Sequence, residues 1–285
     1  MFDVLIVGAG YLGSAIARLL LAQNKTVAAL TRSEAHAREL EAAGISPVVG
    51  DLLWPNTLRE LPRADAVILC PAPDTHDADS YRYLYVEGIG SFLDVLSRHG
   101  EPPGRVLYTS STGVWGDHAG AWVDESVPPS PDGERAEVLV QAEERLLGSG
   151  FPAIVLRLAG IYGPGRNRVQ AFRSRLWPEQ ESDNFMNMIH VQDAAAAALH
   201  LLASGQPGSV VLGVDSLPVR ESEFCAWLAA RLKMTERQAV IGEFKPEGKR
   251  CRNALLQKLG FKFRFPTFRE GYTDLLKRVS RGERV

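Results

Sequence analysis

The chain has 285 residues, 45% of them hydrophobic and 23% charged, with a formal net charge of −2. That length can bury one large core or two small ones, and the near-neutral, interspersed charge gives no reason to expect nucleic acid or another polyanion as a partner. Three scattered cysteines, Cys70, Cys225 and Cys251, and six histidines without ligand spacing argue against a disulfide framework or a metal site, and for a reducing, cytoplasmic compartment. No apolar run approaches the ~18 residues that would suggest a membrane span. The N-terminus, with Asp3 close to Met1, does not read as a signal peptide.

The elements follow in chain order. A short apolar strand at 3–7 runs into Gly8-Ala9-Gly10-Tyr11-Leu12-Gly13 and then an apolar helix at 11–23. In this context Gly8 permits a tight turn, Gly10 lets the backbone approach a pyrophosphate, and Gly13 lets the helix pack on the strand. The start of that helix offers its unpaired N–H groups to phosphates, with Tyr11 and Leu12 in the same loop. A second strand at 26–31 ends in Leu30-Thr31-Arg32-Ser33. No carboxylate stands there to hold a ribose 2′-hydroxyl, whereas Arg32 and Ser33 suit a 2′-phosphate. NADP(H) is therefore the favoured cofactor, with NAD as the other one the site would take; a solvated helix-start role for Arg32 stays open.

A third strand at 46–49 leads to Gly50-Asp51-Leu52, where Asp51 is placed either for an adenine amino group or for a helix N-cap. The fourth, at 65–70, ends in Cys70-Pro71-Ala72-Pro73, small and rigid residues that suit a wall beside the ribose and pyrophosphate. Helices are expected at 33–43, 78–99 and 134–149, and further strands at 104–109 and 153–158. Alternating strands and helices, with strands lacking polar alternation, predict an α/β fold with a doubly wound parallel sheet. Residues 1–160 form the dinucleotide-binding domain. Its sheet is completed by 189–214, through a helix at 193–204, with Asp193 as N-cap, and a strand at 209–214. Residues 161–188 and 215–285 form a smaller C-terminal substrate-binding region.

Five segments in order, GAGYLG at 8–13, GDL at 50–52, YTSSTGVWGD at 108–117, LRLAGIYGPGR at 156–166 and IHVQDAAAAAL at 189–199, resemble the short-chain dehydrogenase/reductase superfamily, in its extended or atypical branch of epimerase/dehydratase-like proteins. The resemblance runs nearly end to end. It implies a catalytic hydroxyl at Ser111, with Thr112 beside it and Ser110 on the cofactor side. It also implies a Tyr and a Lys four residues apart on the helix at 134–149. Aligned on Glu143, those places hold Arg135 and Leu139. No register recovers the pair, because the chain has no Tyr between Tyr108 and Tyr162 and no Lys between Lys25 and Lys233. Arg135 stays charged and cannot donate a proton, but it can hold an anionic group. Glu137, Glu143 and Glu144 read as solvated helix positions, and Tyr81, Tyr83 and Tyr85 read first as packing at a helix start, with the role of the missing Tyr as the alternative. The resemblance places Trp115, Tyr162, Arg166 and His190 around a substrate pocket, and the shortness of the segment after Arg166 speaks against a large nucleotide-sugar. It also implies a homodimer through the helices at 78–99 and 134–149.

Two functions fit these residues. One is an NADP(H)-dependent oxidoreductase or epimerase-like enzyme, acting on a small polar or sugar-derived molecule with non-standard acid/base residues. The other is a non-catalytic NADP(H)-binding redox sensor or scaffold protein.

Overall fold

The apolar runs do become the strands of one sheet. The computed structural model describes residues 1–98, 102–173, 183–234 and 247–283. In chain order its strands are β1 (Phe2–Val7), β2 (Val27–Thr31), β3 (Ser46–Val49), β4 (Ala64–Leu69), β5 (Arg105–Ser111), β6 (Trp122–Val123), β7 (Ala153–Leu158), β8 (Gly160–Tyr162), β9 (Phe185–Met186), β10 (Met188–His190), β11 (Val210–Gly213), β12 (Val219–Arg220) and β13 (Arg250–Cys251). The helices are α1 (Tyr11–Ala22), α2 (Glu34–Ala42), α3 (Ala78–Tyr81), α4 (Ile89–Arg98), α5 (Glu134–Leu147), α6 (Val169–Arg173), α7 (Val191–Ser204), α8 (Glu221–Arg231), α9 (Ala254–Lys258) and α10 (Phe268–Ser280). Between α3 and α4 the backbone is π-helical over Arg82–Gly88. Among the described residues, no helix is long and apolar enough to cross a membrane.

Seven strands form a doubly wound parallel sheet in the order β11-β7-β5-β4-β1-β2-β3. β2 reads Val-Ala-Ala-Leu-Thr and is buried at every position, as expected for a strand covered on both faces. β1 is the pivot: Val7 lies opposite Leu30 of β2 on one side and Leu69 of β4 on the other. The chain winds outward from β1 through β2 and β3, then returns to its other side through β4. Such a reversal opens a crevice beyond the C-terminal strand ends.

The chain divides into two compact units, residues 1–114, 129–157 and 195–211 in the first, and 115–128, 158–194 and 212–285 in the second. Residues 115–128 thus lie outside the first unit, although the expected dinucleotide domain ran to 160. The reason is β6, where Trp122 and Val123 pair with Arg250 and Cys251 of β13, far along the chain. β11 forms one edge of the seven-stranded sheet, and β10 pairs with β8.

Two buried carboxylates correct the sequence reading. Glu143 is not solvated: it is 3% exposed. It accepts three hydrogen bonds from Arg157 of β7, from Nε to Oε1 at 3.0 Å and to Oε2 at 3.2 Å, and from Nη2 to Oε2 at 2.7 Å. An arginine in a fully buried strand requires such a counterion, and this one ties α5 to the sheet. Asp193 is not a helix N-cap, because α7 begins at Val191. Its carboxylate accepts instead from the backbone N–H groups of Arg264, at 2.8 Å, and Phe265, at 2.9 Å.

The second unit has its own core around Tyr162, Met188, Phe224, Leu228, Phe268 and Tyr272. α10 is started by a full capping box, with Thr267 accepting from the Arg269 N–H and Glu270 accepting from the Thr267 N–H.

Candidate functional site

The glycine turn sits at the end of β1, and each glycine there answers to a different constraint. Gly8 has φ +101°, and a Cβ on it would lie 2.5 Å from the Cys70 carbonyl oxygen. A Cβ on Gly13 would run into the Gly8 carbonyl. Gly10 is the opposite case, with nothing within 4 Å of where its Cβ would be. It is also the N-cap of α1, with no side-chain cap and no acidic residue in the first helical turn. Open room therefore stands over the start of a helix whose N-cap supplies no side chain, an arrangement that fits a diphosphate. The turn is braced from beside it: Ser14 Oγ donates to the Ala9 carbonyl at 2.7 Å, and His36 Nε2 lies 3.2 Å from the same oxygen. Leu12 is buried, so only its backbone can face a ligand.

At the tip of β2, Arg32 grips the carboxylate of Asp74, from Nη1 to Oδ2 at 2.8 Å and from Nη2 to Oδ1 at 2.6 Å. Ser33 is the N-cap of α2 and accepts from the His36 N–H at 3.3 Å. Asp51 does not cap a helix; its Oδ1 accepts from the Leu53 N–H at 2.9 Å, shaping a turn, and Leu52 beside it is buried. The Cys70 thiol donates to the Gly8 carbonyl at 3.1 Å. Burial pushes that thiol up to about 12, so Cys70 is a packing residue and not a nucleophile. The Pro71 carbonyl accepts from the Tyr85 hydroxyl at 3.3 Å, while Ala72 and Pro73 continue the wall, exposed and half-buried.

A cavity of about 530 Å³ in the first unit brings Ser111 together with the head of α5. Ser111 and Gly113 come from the end of β5, Arg135 and Leu139 from α5, and His76 and Tyr81 from the segment after β4. Both positions that the resemblance reserves for Tyr and Lys therefore face this cavity, and carry a guanidinium and an isobutyl group instead. Ser111 Oγ accepts from the Gly113 N–H at 3.0 Å, which leaves its own proton available to a bound oxygen. Arg135 donates to the His76 carbonyl at 3.1 Å and lies 5.9 Å from the centroid of the Tyr81 ring. Thr112 is buried beside Ser111, and the buried Ser110 hydroxyl has no hydrogen-bond partner among the described residues.

Four expected pocket residues belong to the second unit. Trp115 is wholly buried, its indole N–H donating to the Val127 and Pro128 carbonyls at 3.0 and 3.1 Å, so it is scaffold rather than pocket wall. Tyr162 is buried and stacks on Tyr272 with ring centroids 4.8 Å apart. His190 is buried against Tyr162 and Phe265. Burial pushes its imidazole down to about 4, keeping it neutral in the fold. Arg166 is exposed in the turn closed by Gly163. Residues 174–182 of the expected substrate segment lie outside the described residues.

Sequence reasoning missed Asp74, His76 and Tyr81 as site residues. For Tyr81 a signal was there: Tyr81 and Tyr85 stand four residues apart and make an edge contact at 5.3 Å, followed by Tyr85 on Tyr108 at 6.4 Å.

Residues 4–213 match the profile of the NAD dependent epimerase/dehydratase family. Protein YeeZ of Escherichia coli strain K12 is 30% identical over 278 residues, covering 93% of this chain and 97% of that one. A Stigmatella aurantiaca protein named 4-hydroxy-2-methyl-3-oxo-4-farnesyl-3,4-dihydroquinoline-1-oxide ketoreductase is 26% identical over 78% of this chain and 70% of its own length. A solved structure of the epimerase/dehydratase class from Methylobacillus flagellatus superposes with a TM-score of 0.81 at 30% identity, covering 98% of this chain and 99% of that one.

Proposed function

Because the chain belongs to the NAD dependent epimerase/dehydratase family, we propose that it is an NADP(H)-using oxidoreductase or epimerase-like enzyme that acts on a small polar carbonyl or sugar-derived compound in the Ser111 cavity. The observation that carries this reading is the meeting of Ser111, Arg135 and Tyr81 around one cavity of about 530 Å³, a size suited to a small ligand. The Gly8–Gly13 turn and the start of α1 would hold the pyrophosphate, Arg32 and Ser33 the 2′-phosphate, and Asp51 the adenine side. The nicotinamide, when bound, supplies or takes a hydride.

The chain's own groups do the rest. Ser111 holds the reacting oxygen with its free O–H. Arg135 holds an anionic substrate group or the charge that develops on that oxygen. Tyr81 brings the phenol that α5 lacks and is the proton donor in this reading. Leu139 offers only an apolar wall. The relative named as a ketoreductase supports carbonyl reduction as the reaction. Leu139 in place of a lysine also favours the second reading, a non-catalytic NADP(H)-binding sensor or scaffold.

Calorimetric titration with NADP+, NADPH, NAD+ and NADH, followed by a screen of small ketones with NADPH, separates the two. Selective binding of the phosphorylated pair and NADPH oxidation by a ketone establish the enzyme. Binding without turnover across the screen, with unequal affinity for NADP+ and NADPH and a shifted association equilibrium, moves the reading to the sensor.

A further inference from the structure

Three neighbouring strands set the geometry. β1 lies between β2 and β4, all three are parallel, and the glycine turn leaves the end of β1. Arg32 directly follows β2, and Asp74 follows β4. Their forked ion pair therefore reaches across the end of β1, over the strand that carries the glycine turn.

We propose that Asp74 is a specificity-determining residue for the cofactor, competing with the 2′-phosphate of NADP(H) for the guanidinium of Arg32. This rests on the cofactor reading above. Each edge of a guanidinium takes one planar carboxylate or one phosphate face at a time, and Asp74 holds the Nη1/Nη2 edge of Arg32. A 2′-hydroxyl makes no demand on that fork, so NAD(H) leaves the pair intact. A 2′-phosphate that takes the same edge displaces the Asp74 carboxylate, which then stands nearby as an uncompensated negative charge. Asp51 adds a second carboxylate whose charge reaches Arg32. Asp74 thus returns to the tip of β2, from a different strand, the negative charge that the sequence of β2 lacks there.

The pair is exposed, with side-chain accessibilities of 55% for Arg32 and 69% for Asp74. It is therefore weak enough to open, and it tunes the choice of cofactor without dictating it. The loop beyond it is held independently, with the Ser80 N–H donating to Asp77 Oδ1 at 2.8 Å, so a substitution at Asp74 leaves that anchor in place.

The test is calorimetric titration of the full chain with NADP+ and with NAD+, for wild type, Asp74→Asn, Arg32→Gln and the double variant. Asp74→Asn is expected to tighten NADP+ about fivefold, the scale of one exposed ion pair, while NAD+ stays nearly unchanged. In the Arg32→Gln background the same substitution is expected to shift the NADP+/NAD+ ratio clearly less, by the residual charge repulsion alone. A ratio that Asp74→Asn does not shift, or shifts equally with and without Arg32, overturns the role of Asp74 while leaving the cofactor reading standing. Failure of the wild type to bind either dinucleotide defeats the cofactor reading and this inference with it.

Discussion

The Gly8–Gly13 turn and the head of α5 both face open space, yet they are specified in different ways. At the turn, backbone geometry is the function: φ +101° at Gly8 and the absence of any Cβ at Gly8 and Gly13 are demanded by atoms within the fold. At α5, backbone geometry is only the mount. Positions 135 and 139 face the cavity whatever side chains they carry, so their chemistry can change while the fold stays. A site made of backbone resists substitution, whereas a site made of side chains on a rigid helix can lose its reagents and keep its shape.

The harshest way to break this comparison is to loosen the mount. Glu143→Ala leaves Arg157 charged and buried without its partner, which should destabilise the protein by about 3–5 kcal/mol. A thermal melt checks this, and a change under 1 kcal/mol would mean that the pair does not anchor α5. Ser111→Ala acts on the reagents alone. It should lower turnover of any ketone that the screen yields by on the order of 10²-fold with dinucleotide affinity unchanged; equal turnover would remove Ser111 from the mechanism.

A control outside both regions is His190. Its imidazole is held down to about 4 against an ordinary 6.5, so the unfolded chain binds the extra proton first as the pH falls. The stability this contributes is complete above pH 6.5 and is lost progressively as the pH falls toward about 4. The loss amounts to roughly 3 kcal/mol. His190→Gln should flatten the denaturation profile in that window, and parallel profiles for the two proteins would refute the assignment. Gly8→Ala should cost about 1–3 kcal/mol through its positive φ and the clash with Cys70. It should also weaken dinucleotide binding by at least about tenfold if the turn is read correctly, and a titration unaffected by it would separate the turn from the cofactor.

Much of the first unit was legible because its signals are local. Apolar runs such as Val27–Thr31 announce a strand buried on both faces, and the glycine spacing announces the turn. Ser111 and the register of α5 came from resemblance, and Ser111, Arg135 and Leu139 line one cavity. What stayed hidden depends on partners distant in sequence. Glu143 looks like any helix-surface glutamate until Arg157 is found beneath it. Arg32 looks free until Asp74 arrives from another strand. Trp115 looks like a pocket aromatic until its indole N–H is seen bound to the Val127 and Pro128 carbonyls. Composition and periodicity carry no trace of such pairings.

The π-helical turn at Arg82–Gly88 bears on how this site tolerates insertions and deletions. Such a turn holds one residue more than the α-helix around it. Removing a single residue there would restore regular winding and leave α3 and α4 close to their present phase, because the wider turn already absorbs the extra residue. Tyr81 would then keep its place in the lining of the cavity. The turn thus allows one residue to be gained or lost between Tyr81 and α4 without turning that phenol out of the cavity it lines.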